Sequence, residues 1–172
     1  LSNQESWDNS GLQIGQRNQQ ISSALLCIDV TEDVVAEAIE KNCQMIISHH
    51  PLLFSGLRHI TSDTQVERCV QAIIKHNIVV YSAHTSIDKY KFGVSGKMAQ
   101  KLGITDYSVL SPYRADVGLG VIGDMPRPLS CLNFLNLIKS TFNTSAIRYV
   151  EPSCGELISR VALCGGAGSE FL

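Results

Sequence analysis

Two adjacent histidines, His49 and His50, stand at the end of the apolar run Ile46-Ile47-Ser48, and Pro51 stops it. A second apolar run, Ile78-Val79-Val80-Tyr81-Ser82-Ala83, ends in His84, with Asp88 a few residues further on. Imidazoles and a carboxylate brought together are the donors that a divalent transition metal takes. Neighbouring side chains on a regular strand point to opposite faces, but the alternation relaxes at a strand end. Pro51 also holds His50 extended. The two imidazoles can then address two ions, with Asp88 placed to bridge them, as in sites whose metals sit about 3.5–4 Å apart. His84 is read either as a further ligand or as a donor that orients a carboxylate beside the metal.

Other candidates carry less. His76 falls at a helix end, where a positive charge suits the dipole, and His59 lies beside Arg58 with no motif around it. The stretch Cys164-Gly165-Gly166-Ala167-Gly168-Ser169 follows a strand and opens towards a helix. Backbone N–H groups of Gly165, Gly166, Gly168 and Ser169 could cradle an anion there, although glycines also serve tight turns. No Lys-Ser or Lys-Thr follows, so it is not a Walker loop, and there is no Gly-x-Ser-x-Gly elbow.

The elements that position these residues follow from apolar periodicity. Ser22 to Ile28 reads as a strand. Thr31 caps a helix carrying Val34, Val35, Ala38 and Ile39 on one face. Gln44 to Ser48 is the next strand. From Thr64 a second helix places Val66, Cys69, Val70, Ile73 and Ile74 along one side, and the strand from Ile78 follows. This β-α-β-α-β order predicts a parallel sheet covered on both faces. Its strand carboxyl ends share one edge, where Asp29, His49, His50, His84 and Asp88 collect. In open α/β sheets ligands sit at that edge.

Gly93 to Leu102 reads as a third helix and Ser108 to Asp116 as a boundary. This divides the chain into 1–110, which carries the ligands, and 111–172, a second and incomplete α/β unit. In the latter, Val117 to Ile122 is a predicted strand, Met125-Pro126-Arg127-Pro128 a turn and Ser130 to Phe142 a helix. Ala146 to Val150 and Arg160 to Cys164 are predicted strands. The sequence starts in a loop and stops where a helix should begin, so it reads as cut, most plainly at its second end.

Composition bounds the function classes. The 172 residues are 44% hydrophobic and 17% charged with a formal charge of -2, an ordinary globular balance. There is no basic footprint for nucleic acid and no polybasic membrane patch. No window approaches the roughly 18 apolar residues of a membrane span. Six cysteines occur without a C-x-x-C pair and read as small buried residues of a reduced, cytoplasmic protein.

Four segments, taken together and in order, resemble the NIF-3-like family (NGG-interacting factor 3-like), also called GTP cyclohydrolase 1 type 2 homologues. They are Trp7-Asp8-Asn9-Ser10-Gly11-Leu12-Gln13-Ile14-Gly15, Ser48-His49-His50-Pro51-Leu52, Ala83-His84-Thr85-Ser86-Ile87-Asp88 and Val161-Ala162-Leu163-Cys164-Gly165-Gly166-Ala167-Gly168-Ser169. The resemblance implies two related α/β units with largely parallel sheets and a toroidal homohexamer. It also implies a centre of two divalent ions held by His49, His50 and Asp88. Zn, Fe, Mn and Ni all suit such donors. A further His-x-x-x-Glu pair is implied beyond residue 172. The segment Lys89-Tyr90-Lys91-Phe92-Gly93-Val94-Ser95 departs from the small residue, glycines and Asn-Asp that the family more often has there. Three functions fit these residues: a metal-dependent hydrolase of a nucleotide-like or other cyclic small molecule, a non-catalytic metal carrier or insertion factor, and a transcription-related interaction protein.

Overall fold

The computed structural model describes residues 3–150, 155–166, 168 and 171. The chain forms two compact units, Leu1–Ile87 and Asp88–Leu172.

The first unit carries a four-stranded sheet built from β1 (Gly11–Ile14), β2 (Ala24–Cys27), β3 (Met45–Ser48) and β4 (Val79–Ser82), in the order β1-β4-β3-β2. β2, β3 and β4 are parallel, whereas β1 runs antiparallel to β4. Helix α1 (Glu32–Glu40) joins β2 to β3 and α2 (Gln65–Lys75) joins β3 to β4. Thr31 and Thr64 cap them, each hydroxyl accepting from an N–H of the first turn at 3.3 Å. Beyond the last turns, Asn42 and Asn77 both adopt φ 53°, the left-handed conformation that asparagine tolerates at a helix end.

Both helices serve one core. Register aligns Leu25, Ile46, Val80 and Ile14 across the sheet, and this row packs with Val35, Ala38, Cys69, Val70 and Ile73. The expectation of cover on both faces is therefore corrected. The strands step in a single direction from β2 to β4, and right-handed crossovers then lay both helices on one side. The next residue on β2, Leu26, is 76% exposed.

The second unit begins with Asp88, the last residue of the short helix α3 (His84–Asp88), and continues through α4 (Val94–Lys101). Its sheet, β5 (Tyr107–Arg114), β6 (Val117–Leu129) and β7 (Ile158–Leu163), is antiparallel throughout. The largely parallel character expected of both units thus holds in the first alone. No helix intervenes between β5 and β6, so the chain turns straight back. The division falls at 87/88 rather than 110/111, because the supposed boundary 108–116 supplies most of β5. Ala99, Leu102 and Ile104 share a core with Tyr107, Val121 and Met125.

Two further expectations change. Met125 to Pro128 is not a turn but lies within β6, where the register with β7 is interrupted between Asp124 and Leu129. Such a break is where proline is tolerated in a sheet, since it has no N–H to donate. Ala146 to Val150 is not a strand. Helix α5 (Cys131–Phe142) follows β6 and buries no residue completely. In the departing segment, Lys89 is buried with Nζ 4.5 Å from the centre of the Tyr113 ring.

Candidate metal centre at the strand ends

The edge formed by the carboxyl ends of β3 and β4 is built by two serines. Ser48 and Ser82 are both buried. The Ser48 hydroxyl donates to the His50 carbonyl at 2.7 Å, and the Ser82 hydroxyl to the His49 carbonyl at 2.8 Å. Backbone pairing continues past the strands: His49 N–H donates to Cys27 O, His50 N–H to Ile28 O and His84 N–H to His49 O. The alternation of the sheet ends here without the backbone coming loose. Buried hydroxyls and N–H groups satisfy carbonyls that a frayed strand end would leave to water.

On this frame three imidazoles gather. Ring centres lie 4.8 Å apart for His49 and His50, 5.6 Å for His49 and His84, and 5.7 Å for His50 and His84. Trp7 and Phe54 flank the third ring, their centres 6.0 and 6.4 Å from that of His84.

Carboxylates stand behind two of the rings. His50 Nδ1 is 2.7 Å from Asp29 Oδ1 on the exposed side, and His84 Nδ1 is 2.7 Å from Asp8 Oδ1, whose side chain is wholly buried. Burial alone would push Asp8 up. Hydrogen bonds from Ser10, Thr85 and His84, with the nearby imidazole charge, outweigh it and bring the carboxyl down to about 2. Imidazoles backed in this way are oriented through one nitrogen while the other is left to a ligand. The donor chemistry therefore fits an N/O-seeking divalent ion. Among the described residues, however, no three His, Cys, Asp or Glu side chains are close enough together to hold one ion.

Each sequence candidate can now be placed. His49 is half-buried, His50 exposed, and His84 opens α3, which Asp88 closes. Asp88 is also the first residue of the second unit. Cys27 ends β2 on the same edge, but burial, helped by the Asp29 carboxylate, pushes its thiol up. It behaves as a core residue, and Cys43 and Cys69 are buried more deeply still. His76 caps the end of α2, as its position predicted, and His59 is exposed. In the glycine stretch, Gly165 N–H is already given to the Ser95 hydroxyl at 3.1 Å. Gly166 and Gly168 adopt φ 72° and 59°, and Ser169 lies outside the described residues. Asp8 carried no predicted role. Its signal was present in Trp7-Asp8-Asn9-Ser10-Gly11, but nothing local says that this motif meets residues near 84.

The first unit is thus an α/β sheet with carboxylate-backed imidazoles at its strand ends. The whole of residues 1–172 matches the family Duf34/NIF3 (NGG1p interacting factor 3), and the chain belongs to that family. It is 36% identical over 169 residues to a GTP cyclohydrolase 1 type 2 homolog of Clostridium perfringens, covering 97% of this chain and 64% of that protein. It is 34% identical to NIF3-like protein 1 of Drosophila melanogaster, covering 98% of this chain and 59% of the relative. The chain thus spans somewhat less than two thirds of these relatives. Among solved structures, Staphylococcus aureus hypothetical protein SA1388 superposes with a TM-score of 0.90 at 28% identity, over 99% of this chain and 69% of the other. No described helix is long and apolar enough to cross a membrane.

Proposed function

We propose that this chain is the ligand-bearing part of a dinuclear metal protein, and that the protein is a metal-dependent hydrolase of a nucleotide-like or other cyclic small molecule. The observation that carries the reading is the cluster of His49, His50 and His84 at the strand ends, two of them backed by Asp29 and Asp8. The name shared by the bacterial relatives, GTP cyclohydrolase 1 type 2 homolog, supports the choice of substrate class.

In this reading His49 and His50 would each hold one of two divalent ions (Zn, Fe, Mn or Ni), and Asp88 would be shared between them. The remaining ligands come from a His-x-x-x-Glu pair outside residues 1–172. A bound ion would supply Lewis acidity and a water acidified enough to attack at neutral pH. The chain's own part is to hold the imidazoles. Ser48 and Ser82 fix the backbone of the pair, and Asp29 orients His50 through Nδ1. The working protein is cytoplasmic and assembles as a toroidal hexamer.

The test is metal titration of the full-length protein with anomalous scattering, alongside turnover assays on cyclic nucleotide-like compounds. Two ions bound, and activity lost in His49→Ala, are the expected results. Metal transferred to an acceptor without turnover would instead establish the carrier reading, and absence of any bound ion would remove both. The printed family name, NGG1p interacting factor 3, supports a third reading as an interaction protein, whose partner would still bind after His49, His50 and Asp88 are replaced.

A further inference from the structure

Asp8 is surrounded by donors. Its Oδ1 accepts from Asn9 N–H at 2.7 Å and faces His84 Nδ1 at the same distance. Its Oδ2 accepts from the Thr85 N–H at 3.3 Å and from the hydroxyls of Thr85 and Ser10. A carboxylate so surrounded keeps no proton, and an ionised carboxylate only accepts. The hydrogen between Asp8 and His84 must therefore sit on Nδ1. In the neutral ring this leaves the lone pair on Nε2, the nitrogen that Asp8 does not touch.

The backbone at His84 is held as firmly as the ring. His84 has φ 27°, a positive value that side chains bearing a Cβ rarely adopt. Strain of this kind persists where the surroundings over-determine it, often at ligand sites. Here the flanking bonds do so: Ala83 N–H donates to Ser48 O and His84 N–H to His49 O, both at 2.9 Å. The result is a ring whose centre stands 5.6 Å from that of His49 and 5.7 Å from that of His50.

We propose that Asp8 is a positioning residue that fixes His84 in the Nδ1–H tautomer, so that Nε2 serves as a further nitrogen ligand at the metal centre, beside His49 or His50 rather than on one ion with both. The metal role rests on the function proposed above; the coupling of Asp8 to His84 does not. The arrangement repeats that of Asp29 and His50, with one difference. The Asp29 pair is open to solvent, with 63% of the carboxylate side chain exposed, whereas the Asp8 side chain is 0% exposed. The buried pair is thus the better defined of the two.

Long-range proton–nitrogen correlation spectra of the full-length protein with labelled histidine, without metal and then with added zinc, test both parts. The wild type is expected to show His84 protonated at Nδ1 and bare at Nε2, and zinc should move the Nε2 resonance. Asp8→Asn, which sets an amide where only acceptors fit, should lose the single tautomer and weaken zinc binding 10–100-fold, the usual cost of removing an outer carboxylate. Val35→Ala loosens the buried core of the same unit but leaves every donor around Asp8, and Asp8 facing His84. It should keep the tautomer and bind zinc within about threefold of the wild type, which separates orientation from general loosening. A wild-type His84 protonated at Nε2 overturns the assignment of Asp8 without any variant needing to fold. Undiminished zinc affinity in Asp8→Asn also overturns it. A wild type with the Nδ1–H tautomer that binds no zinc overturns the metal reading, and with it the role of Nε2, while leaving the coupling of Asp8 and His84 intact.

Discussion

The two units use similar numbers of strands to different ends. In the first, parallel strands joined by helical crossovers bring the carboxyl ends of β2, β3 and β4 to one edge. There three histidines and two carboxylates meet. In the second, β5, β6 and β7 alternate in direction, so their carboxyl ends are divided between two edges. No comparable cluster of titratable side chains forms there among the described residues. The packing differs too. Helix α2 buries Cys69, Val70 and Ile73 fully, whereas α5 packs Phe134, Leu137, Ile138 and Phe142 only half-buried against its core. Strand direction therefore decides where chemistry can collect, and a well-filled core holds that edge still.

Four substitutions or conditions would break or sharpen this contrast. The largest effect is expected from Ile46→Ala, which empties a side chain at 0% exposure in the centre of the first core. It should cost about 2–5 kcal/mol in urea unfolding followed through Trp7, the single tryptophan, and a loss under about 1 kcal/mol would deny that this core is tightly filled. Gly118→Ala attacks the second sheet instead. A Cβ there would lie 2.1 Å from the Ser111 carbonyl oxygen and 2.6 Å from Val109 Cγ1. A loss of about 1–3 kcal/mol is expected in circular-dichroism melts, and unchanged stability would mean that β5 and β6 are less closely apposed.

Asp8 gives the first unit a pH signature. Its folded value of about 2 lies below the ordinary carboxyl value near 3.9. The stabilisation is therefore complete above about pH 4 and is lost as the pH falls towards about 2, amounting to about 2 kcal/mol. Urea titrations between pH 2 and 5 should show this slope in the wild type and a shallower one in Asp8→Asn. Equal slopes would contradict the network. The smallest effect belongs to α5: Leu132 is 68% exposed, and Leu132→Ala should change stability by no more than about 0.5 kcal/mol. A larger loss would show α5 to be held more firmly than its exposure indicates.

The parts that could be read from sequence share a physical basis. Thr31, Thr64, Asn42 and Asn77 act through local backbone hydrogen bonds and local conformation, and both helices of the first unit begin and end beside them. The histidine pair was legible because Pro51 closes an apolar run. Strand β1 was not, because Gly11–Ile14 is a four-residue edge strand with too few alternations to show a period. The antiparallel second sheet was hidden for a related reason. Val117–Leu129 contains two prolines and a register break, which in sequence is indistinguishable from a strand followed by a turn. The one-sided cover of the first sheet depends on strand order, a matter of topology rather than of residue pattern.

By itself, then, the sequence determined the family, the parallel crossovers of the first unit and the identity of the histidines at the carboxyl ends of its strands. Those properties come from periodicity, capping and motifs, which act over a few residues or a single crossover. The tertiary structure decided what stands behind those histidines. Asp8 reaches His84 across a gap of 76 residues, and Asp29 reaches His50 across 21. Such partnerships are set by how strands are ordered and where their ends meet, so only the folded chain could reveal that a buried carboxylate stands behind His84.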